Sequence, residues 1–206
     1  MDARATIDAV RDATETERDR LGSDKALVAA TGASLEPDAV LEATATREAG
    51  LASALGQWSD EISDDAEAEG EVAAAIDEAA AAAAERRDRI DADVGEPDAL
   101  SAHLETVDGT VNRVGAGLVA APLVADRFYL QVVNFFVNEA DEGRADLARE
   151  LRSDASSLDR AETALAALSD SERGDAAAAA TEAVEAAYDG YAETLDAMGL
   201  DPKPIC

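Results

Sequence analysis

The chain has 206 residues, of which 46 are acidic and 17 basic, and its formal net charge at neutral pH is −29. Nucleic-acid binding through phosphate contacts needs clustered Lys and Arg side chains, so this charge argues against a nucleic-acid partner. Because 47% of the residues are apolar and recur in regular stripes, the composition also argues against a disordered chain.

The charge and the cysteine usage indicate a cellular setting. A surface this acidic repels itself in dilute buffer, whereas molar salt screens the repulsion to within about 3 Å. We therefore expect an acidic, halophilic protein of the cytoplasm, in an organism that keeps molar salt inside its cells. The single cysteine, Cys206, allows no internal disulfide, in keeping with a reducing compartment. Residues 1–20 lack the basic and apolar regions of a signal peptide.

The front of the chain predicts two short helices. The first covers about residues 2–20 and breaks at Gly22 and Ser23. Ser23 can cap the second helix, which contains the stretch DKALVAA and stops at Thr31 and Gly32. We expect residues 1–35 to pack on a bundle formed by residues 36–199, with a short tail at residues 200–206.

Two long helices are predicted next. Pro37 suits the first turn of a helix that runs to about residue 62. Ser63 can cap the following helix, over about residues 64–92, which ends before Gly95 and Pro97. The connection that follows, SAHLETVDGT, leaves room for a single helical turn.

The most apolar helix is predicted at about residues 110–137. Its stretch from Val114 to Val137 is long enough to cross a bilayer, but Pro122, Asp126 and Arg127 lie near its middle. We therefore expect a buried central helix and no membrane partner. Four of the chain's aromatic residues lie on it, and we interpret them as the centre of the core: Phe128, Tyr129, Phe135 and Phe136.

The remaining residues carry two stripes with the 4-3 spacing that is typical of helices packed at shallow angles. One helix is predicted over residues 147–168 and the last over about residues 172–198, and no strand pattern occurs. The sequence therefore predicts an all-α fold, an antiparallel bundle of four to five long helices with short helices at the N-terminus.

Four charged residues interrupt apolar stripes on four different helices: Glu48, Arg86, Asp126 and Asp154. Burying an unpaired charge is costly, so these side chains need partners. One interpretation is ion pairing, with Glu48 and Arg86 as the foremost pair and Asp154 beside another arginine. The other is a divalent metal held by carboxylates that converge in the bundle. The stripes leave both open.

The order of helices, with Glu48 in the first long one, resembles the ferritin-like, rubrerythrin-type superfamily. That resemblance implies two irons or manganese ions, held by a Glu on one helix and a Glu-x-x-His motif on the next, with the set repeated in the second half. Glu48 matches the first Glu, and the run from Glu85 to Asp88 resembles Glu-x-x-His with Asp in place of His.

The second half departs further from the family pattern. Asp126 stands where a Glu is expected, and Glu162 has Leu165 at the position of the His. The only histidine, His103, lies in the crossover, so a two-His diiron centre cannot form. Periodicity also directs Glu85 and Asp88 toward solvent. We therefore expect a bundle that has lost this metal chemistry, with the Glu48–Arg86 pair in the vacated site.

Two functions follow as expectations. The first is a non-catalytic helical-bundle protein without a cofactor, acting through self-association or through a protein partner. The alternative is a metal-binding oxidoreductase or metal-storage protein with a carboxylate-only Mn or Fe site. Its candidate ligands are Glu48, Asp126 and Asp154, with Glu85 and Asp88 added by the resemblance. The chain has no Gly-rich phosphate loop, CxxC, HExxH or Ser/His/Asp set, so the sequence favours a protein that is not an enzyme.

Overall fold

The computed structural model describes residues 2–63 and 70–202, and every regular element within them is helical. The all-α prediction is therefore confirmed for the described part of the chain. The helices are α1 (Ala3–Ala13), α2 (Glu15–Leu21), α3 (Ala26–Ala30), α4 (Pro37–Ser63), α5 (Gly70–Asp88), α6 (Ala99–Leu104), α7 (Thr110–Asn138), α8 (Glu142–Ala155), α9 (Asp159–Ala167) and α10 (Asp170–Ala197).

Three boundaries differ from the sequence prediction. The first helix is interrupted at Thr14, and the helix predicted over residues 147–168 is in fact α8 and α9. Between them, the hydroxyl of Ser157 accepts from the N–H of Asp159, a local bond that competes with a continuous helix. Helix α5 ends at Asp88, and beyond it Arg87 donates to the carbonyl oxygens of Ile90 and Ala92. The predicted cap at Ser63 and the terminal Cys206 lie outside the described side chains.

The helices pack in a connected set. Helix α4 lies along α5, and α9 packs against α5 from another side. Helix α10 packs along the first half of α7, and α8 packs along its second half. Helices α1 and α2 rest on α10, and α6 lies between α4 and α10. This arrangement makes α7 the element that both α8 and α10 cover.

The core consists of two apolar clusters. The larger contains residues from the second half of α4, most of α5 and the first half of α7, with α9 and α10 around them. The smaller contains Val40, Leu41 and Ala45 from the start of α4, together with Ile90 and residues of α8 and the second half of α7. The two clusters therefore follow one another along α4, along α7 and from α5 to Ile90.

Helix α7 changes its winding near its beginning. It is α-helical at Thr110–Arg113, π-helical at Val114–Ala120 and α-helical again at Ala121–Asn138. All seven residues of the π-helical stretch are buried. A Cβ atom on Gly115 would lie 2.0 Å from the carbonyl oxygen of Ala176, and one on Gly117 would lie 2.5 Å from the Trp58 ring. Only glycine lets α10 and α4 approach α7 this closely.

Among the described residues, α7 is the one helix that has the length and apolar composition needed to cross a membrane. The mean hydropathy of its most apolar window is 1.3, and 67% of that window is buried within the protein. Core helices meet the same criteria, so this observation alone does not assign α7 to a bilayer.

Candidate functional site: a buried charged centre

The carboxylate of Glu48 lies in the interior, with a side chain that is 1% exposed. Its Oε2 accepts from Arg86 Nε at 2.8 Å, and its Oε1 accepts from the Tyr129 hydroxyl at 2.7 Å. The structure thus joins α4, α5 and α7 at one buried carboxylate. Both oxygens of that carboxylate have a hydrogen-bond donor, as a buried charge requires.

The position of this centre follows from the two apolar clusters. On α4, Glu48 comes one turn after Ala45 of the smaller cluster and before Ala54 of the larger. Arg86 of α5 comes after Ala83 of the larger cluster, and Ile90 of the smaller cluster follows just beyond the end of α5. The ion pair therefore lies where the two apolar clusters meet.

A second carboxylate extends the centre toward the surface. Arg86 Nη1 donates to Asp154 Oδ2 of α8 at 3.2 Å, and the side chain of Asp154 is 43% exposed. The hydrogen bonds thus run from the Tyr129 hydroxyl through Glu48 and Arg86 to a carboxylate in contact with solvent. Asp154 does not point into the core as the stripe predicted, and its partner is Arg86 itself.

The surroundings alter the pKa values of Arg86 and Tyr129. Burial disfavours the charged guanidinium of Arg86, but the negative charges and hydrogen bonds of Glu48 and Asp154 outweigh it and raise its pKa above the ordinary value. Burial raises the pKa of Tyr129 well above 10.0, and the neighbouring charge of Glu48 raises it further. The centre therefore contains a permanent cation and a neutral phenol.

The other candidates from the sequence are not part of this centre. Asp126, expected to point into the core, has a side chain that is 37% exposed and pairs with Arg152 of α8 at 2.8 Å. Glu85 and Asp88 are exposed on α5, as their periodicity indicated. Glu162 of α9 pairs with Arg4 at 3.2 Å. Apart from Glu48 and Asp154, which share Arg86, the carboxylates suggested by periodicity and by the ferritin-like pattern are therefore dispersed.

The arrangement also bears on metal binding. Within residues 2–63 and 70–202, no group of three or more His, Cys, Asp or Glu side chains is placed to hold a metal ion. Glu48 is the only one of the five proposed ligands that is buried, and a guanidinium lies where a dication would have to bind. What the centre can do chemically is hold three helices together through a hydrogen-bonded ion pair.

Sequence reasoning missed the role of Tyr129, which it assigned to the apolar core. The available signal was a single hydroxyl on a helix whose neighbours are nearly all apolar, since a buried Tyr usually needs an acceptor. The apolar stripe of the last helix instead suggests that the hydroxyls of Tyr188 and Tyr191 reach a buried acid, with Asp126 or Asp154 as the acceptor.

 In the structure, the Tyr188 hydroxyl accepts from Arg20 at 2.6 Å and the Tyr191 hydroxyl lies 3.0 Å from the Ser23 hydroxyl.

Comparison of the chain with protein-family models, with curated proteins and with solved structures finds no match.

Proposed function

We propose that the chain is a non-catalytic helical-bundle protein that acts through self-association. The buried charged centre supports a structural role for its ionisable groups, because both oxygens of Glu48 are already bound by Arg86 and Tyr129. The relation to the ferritin-like superfamily is part of the same proposal, and its support is the pairing of α4 with α5 around Glu48. Function is then carried by the surface of the bundle.

The observation that carries the proposal is a neutral face at the end of α7. Residues 128–138 contain no charged side chain, in a chain where 31% of residues are charged. On this stretch, Leu130 and Val133 are half-buried and Val137 is 50% exposed, and their spacing places them on one side of the helix. We call Leu130, Val133 and Val137 the neutral face.

A second copy of the chain is the partner that fits this face. Each copy has a net charge of −29, so two copies repel each other wherever their acidic surfaces meet. The neutral face offers aliphatic contact without that repulsion, and a symmetric dimer would bury the same face on both subunits. A different protein partner is the other outcome that the test below distinguishes.

Sedimentation analysis in molar KCl tests the proposal. We expect the wild-type chain to be a dimer, and Val137→Glu to be a monomer with an unchanged helical circular dichroism spectrum. Val94→Glu is the matched control, because Val94 is 47% exposed in the segment before α6 and lies outside the neutral face. A wild-type chain that stays monomeric at every soluble concentration would contradict self-association and favour a different partner.

The setting we propose is a cytoplasm that contains molar salt, and it has its own test. The acidic surface should destabilise the fold as KCl falls from molar to about 0.1 M, where screening reaches only about 10 Å. The measurement is the melting temperature across that range. A constant melting temperature would contradict the halophilic setting.

The alternative with Mn or Fe is tested on the same preparation. Because Arg86 opposes a dication beside Glu48, we expect less than about 0.2 transition-metal ion per chain. Elemental analysis that finds one or two Mn or Fe per chain, lost in Glu48→Ala, would support the metal-binding alternative instead.

A further inference from the structure

A cleft of about 520 Å³ opens between α3, α4, α6 and α10, apart from the buried charged centre and from the neutral face. Its volume lies within the range of about 300–1,000 Å³ that small-molecule sites occupy. Many of its walls are alanine and glycine, so the space is not filled by large side chains. Nothing in the proposed self-association uses this cleft.

The inner wall of the cleft is apolar. Four large side chains lie there and are almost completely buried: Leu21, Leu100, Val124 and Phe128. They come from α2, α6 and α7, so the wall is built by three separate elements. A ligand that enters the cleft can therefore place an aliphatic part against a preformed apolar surface.

Among the described residues, the lining of the cleft carries four carboxylates against a single guanidinium. Three of the carboxylates, Glu42, Glu96 and Glu193, are exposed, and within the described residues none of them has a hydrogen-bond or ion-pair partner. The fourth, Asp98, is already engaged, since its Oδ2 accepts from Arg47 at 2.9 Å and its Oδ1 caps α6 through Ser101. The cleft therefore has an excess of negative charge at its opening.

Arg47, the only cation in the part of the lining that the structure describes, is not available to bind an anion. Its guanidinium is paired with Asp98 and lies 4.6 Å from the centre of the Phe128 ring. Its Nη1 atom has no acceptor among the described residues, but this atom is closed off from solvent and so cannot meet a ligand in the cleft. The lining thus favours positive over negative ligands.

We propose that this cleft binds a small organic cation with an aliphatic body, such as a primary alkylamine. The ammonium group would lie among Glu42, Glu96 and Glu193, and the aliphatic chain would lie along the inner wall. The attraction between exposed charges is modest, particularly in molar salt, so burial of the aliphatic chain supplies much of the binding energy.

Three probes of equal chain length separate charge from hydrophobicity: hexylamine, 1-hexanol and hexanoate. We expect saturable binding of hexylamine in molar KCl with a dissociation constant on the order of 1 mM. 1-Hexanol should bind several-fold more weakly, and hexanoate should not bind measurably. The readout is the amide NMR signals of Gly95 and Gly190, which line the cleft, against those of Gly56 and Gly143, which do not.

Three variants test whether hexylamine binds in this cleft. Glu193→Gln should weaken hexylamine binding about three-fold, whereas Glu185→Gln, on the exposed side of α10 outside the cleft, should leave it unchanged. Ala43→Phe should fill the cleft and abolish binding of hexylamine and 1-hexanol alike. Equal affinity for hexylamine and hexanoate, equal effects of the two glutamate variants, or no saturable shift at Gly95 and Gly190 would each overturn the proposal.

Discussion

Two carboxylates that interrupt apolar stripes in the same way have different surroundings in the folded chain. Glu48 is buried between Arg86 and Tyr129, whereas Asp126 lies at the surface of α7 against Arg152, and the side chains of Asp126 and Arg152 are both more than a third exposed. Coulomb attraction in the interior is poorly screened, while a pair at the surface is solvated and loses little when it is broken. A charge that interrupts an apolar stripe is therefore buried only where neighbouring helices cover both sides of it.

The largest effect is expected from Glu48→Gln. This change leaves the guanidinium of Arg86 in the interior with only the partly exposed Asp154 as a counter-charge. We expect the free energy of unfolding to fall by about 3 kcal/mol or more, measured by denaturant unfolding in molar KCl.

The double variant Glu48→Leu with Arg86→Leu sharpens this expectation. It removes both buried charges, so most of the loss seen in the single variant should be recovered. The remaining deficit should come from the Tyr129 hydroxyl, which has lost its acceptor. Single and double variants that both behave like the wild type would show that the centre does not contribute to stability.

A smaller effect is expected from Tyr129→Phe. The substitution keeps the ring and removes one hydrogen bond to a charged carboxylate, which we expect to cost about 1.5–3 kcal/mol of unfolding free energy. Tyr188→Phe is the matched control, since the Tyr188 hydroxyl bonds Arg20 in a half-buried position. Equal losses in the two variants would mean that burial beside Glu48 adds nothing.

The pH dependence of stability tests the Asp98–Arg47 ion pair, which is more exposed than Glu48–Arg86 and less exposed than Asp126–Arg152. Burial would raise the pKa of Asp98, but the charge of Arg47 and the hydrogen bonds from Ser101 outweigh it and hold that pKa below its ordinary value. A lowered folded-state pKa contributes stability above the unfolded value, near 3.8, and this stability is lost as the pH falls through the folded value.

Asp98→Asn isolates this contribution, because Asn still caps α6. We expect it to lower the free energy of unfolding by about 1 kcal/mol at pH 7 and to show a smaller further loss than the wild type between about pH 5 and 2. The measurement is denaturant unfolding at a series of pH values. Parallel pH profiles for the two proteins would contradict a role for the charge of Asp98.

The smallest effect is expected from Asp126→Asn. Its side chain is 37% exposed and that of Arg152 is 35% exposed, so we expect a change of about 0.2–1 kcal/mol in the free energy of unfolding. A loss as large as that of Glu48→Gln would show that the two carboxylates are equivalent and would remove the distinction between them.

These two carboxylates also show how far the sequence could predict the structure. The stripe on α4 predicts the burial of Glu48 because α4 is regularly α-helical from Pro37 to Ser63. Asp126 lies on the same side of α7 as Val133 and Val137, and in the structure Val133 is half-buried and Val137 is 50% exposed. This apolar side of the helix lies toward the surface, and the pattern of apolar residues alone does not show that.

Periodicity could not predict other features of the structure, for a different reason. Helix α7 is apolar on nearly every side, so the pattern cannot say which of its faces Tyr129 occupies. The break between α8 and α9 depends on Ser156 and Ser157, residues that occur within helices as well as between them. The all-α class and most long helices follow from local patterns, whereas these contacts depend on the tertiary packing.

The π-helical stretch makes the rotational setting of α7 depend on how its residues are wound. If all seven residues Val114–Ala120 wound as an ordinary α-helix, each would turn further about the axis, and together they would rotate Arg113 by roughly 100° relative to the rest of α7. Arg113 would then leave Glu61, its ion-pair partner on α4, and the Trp58 ring, which its guanidinium now faces at 5.5 Å. The wide winding of this stretch keeps both ends of α7 in phase with α4.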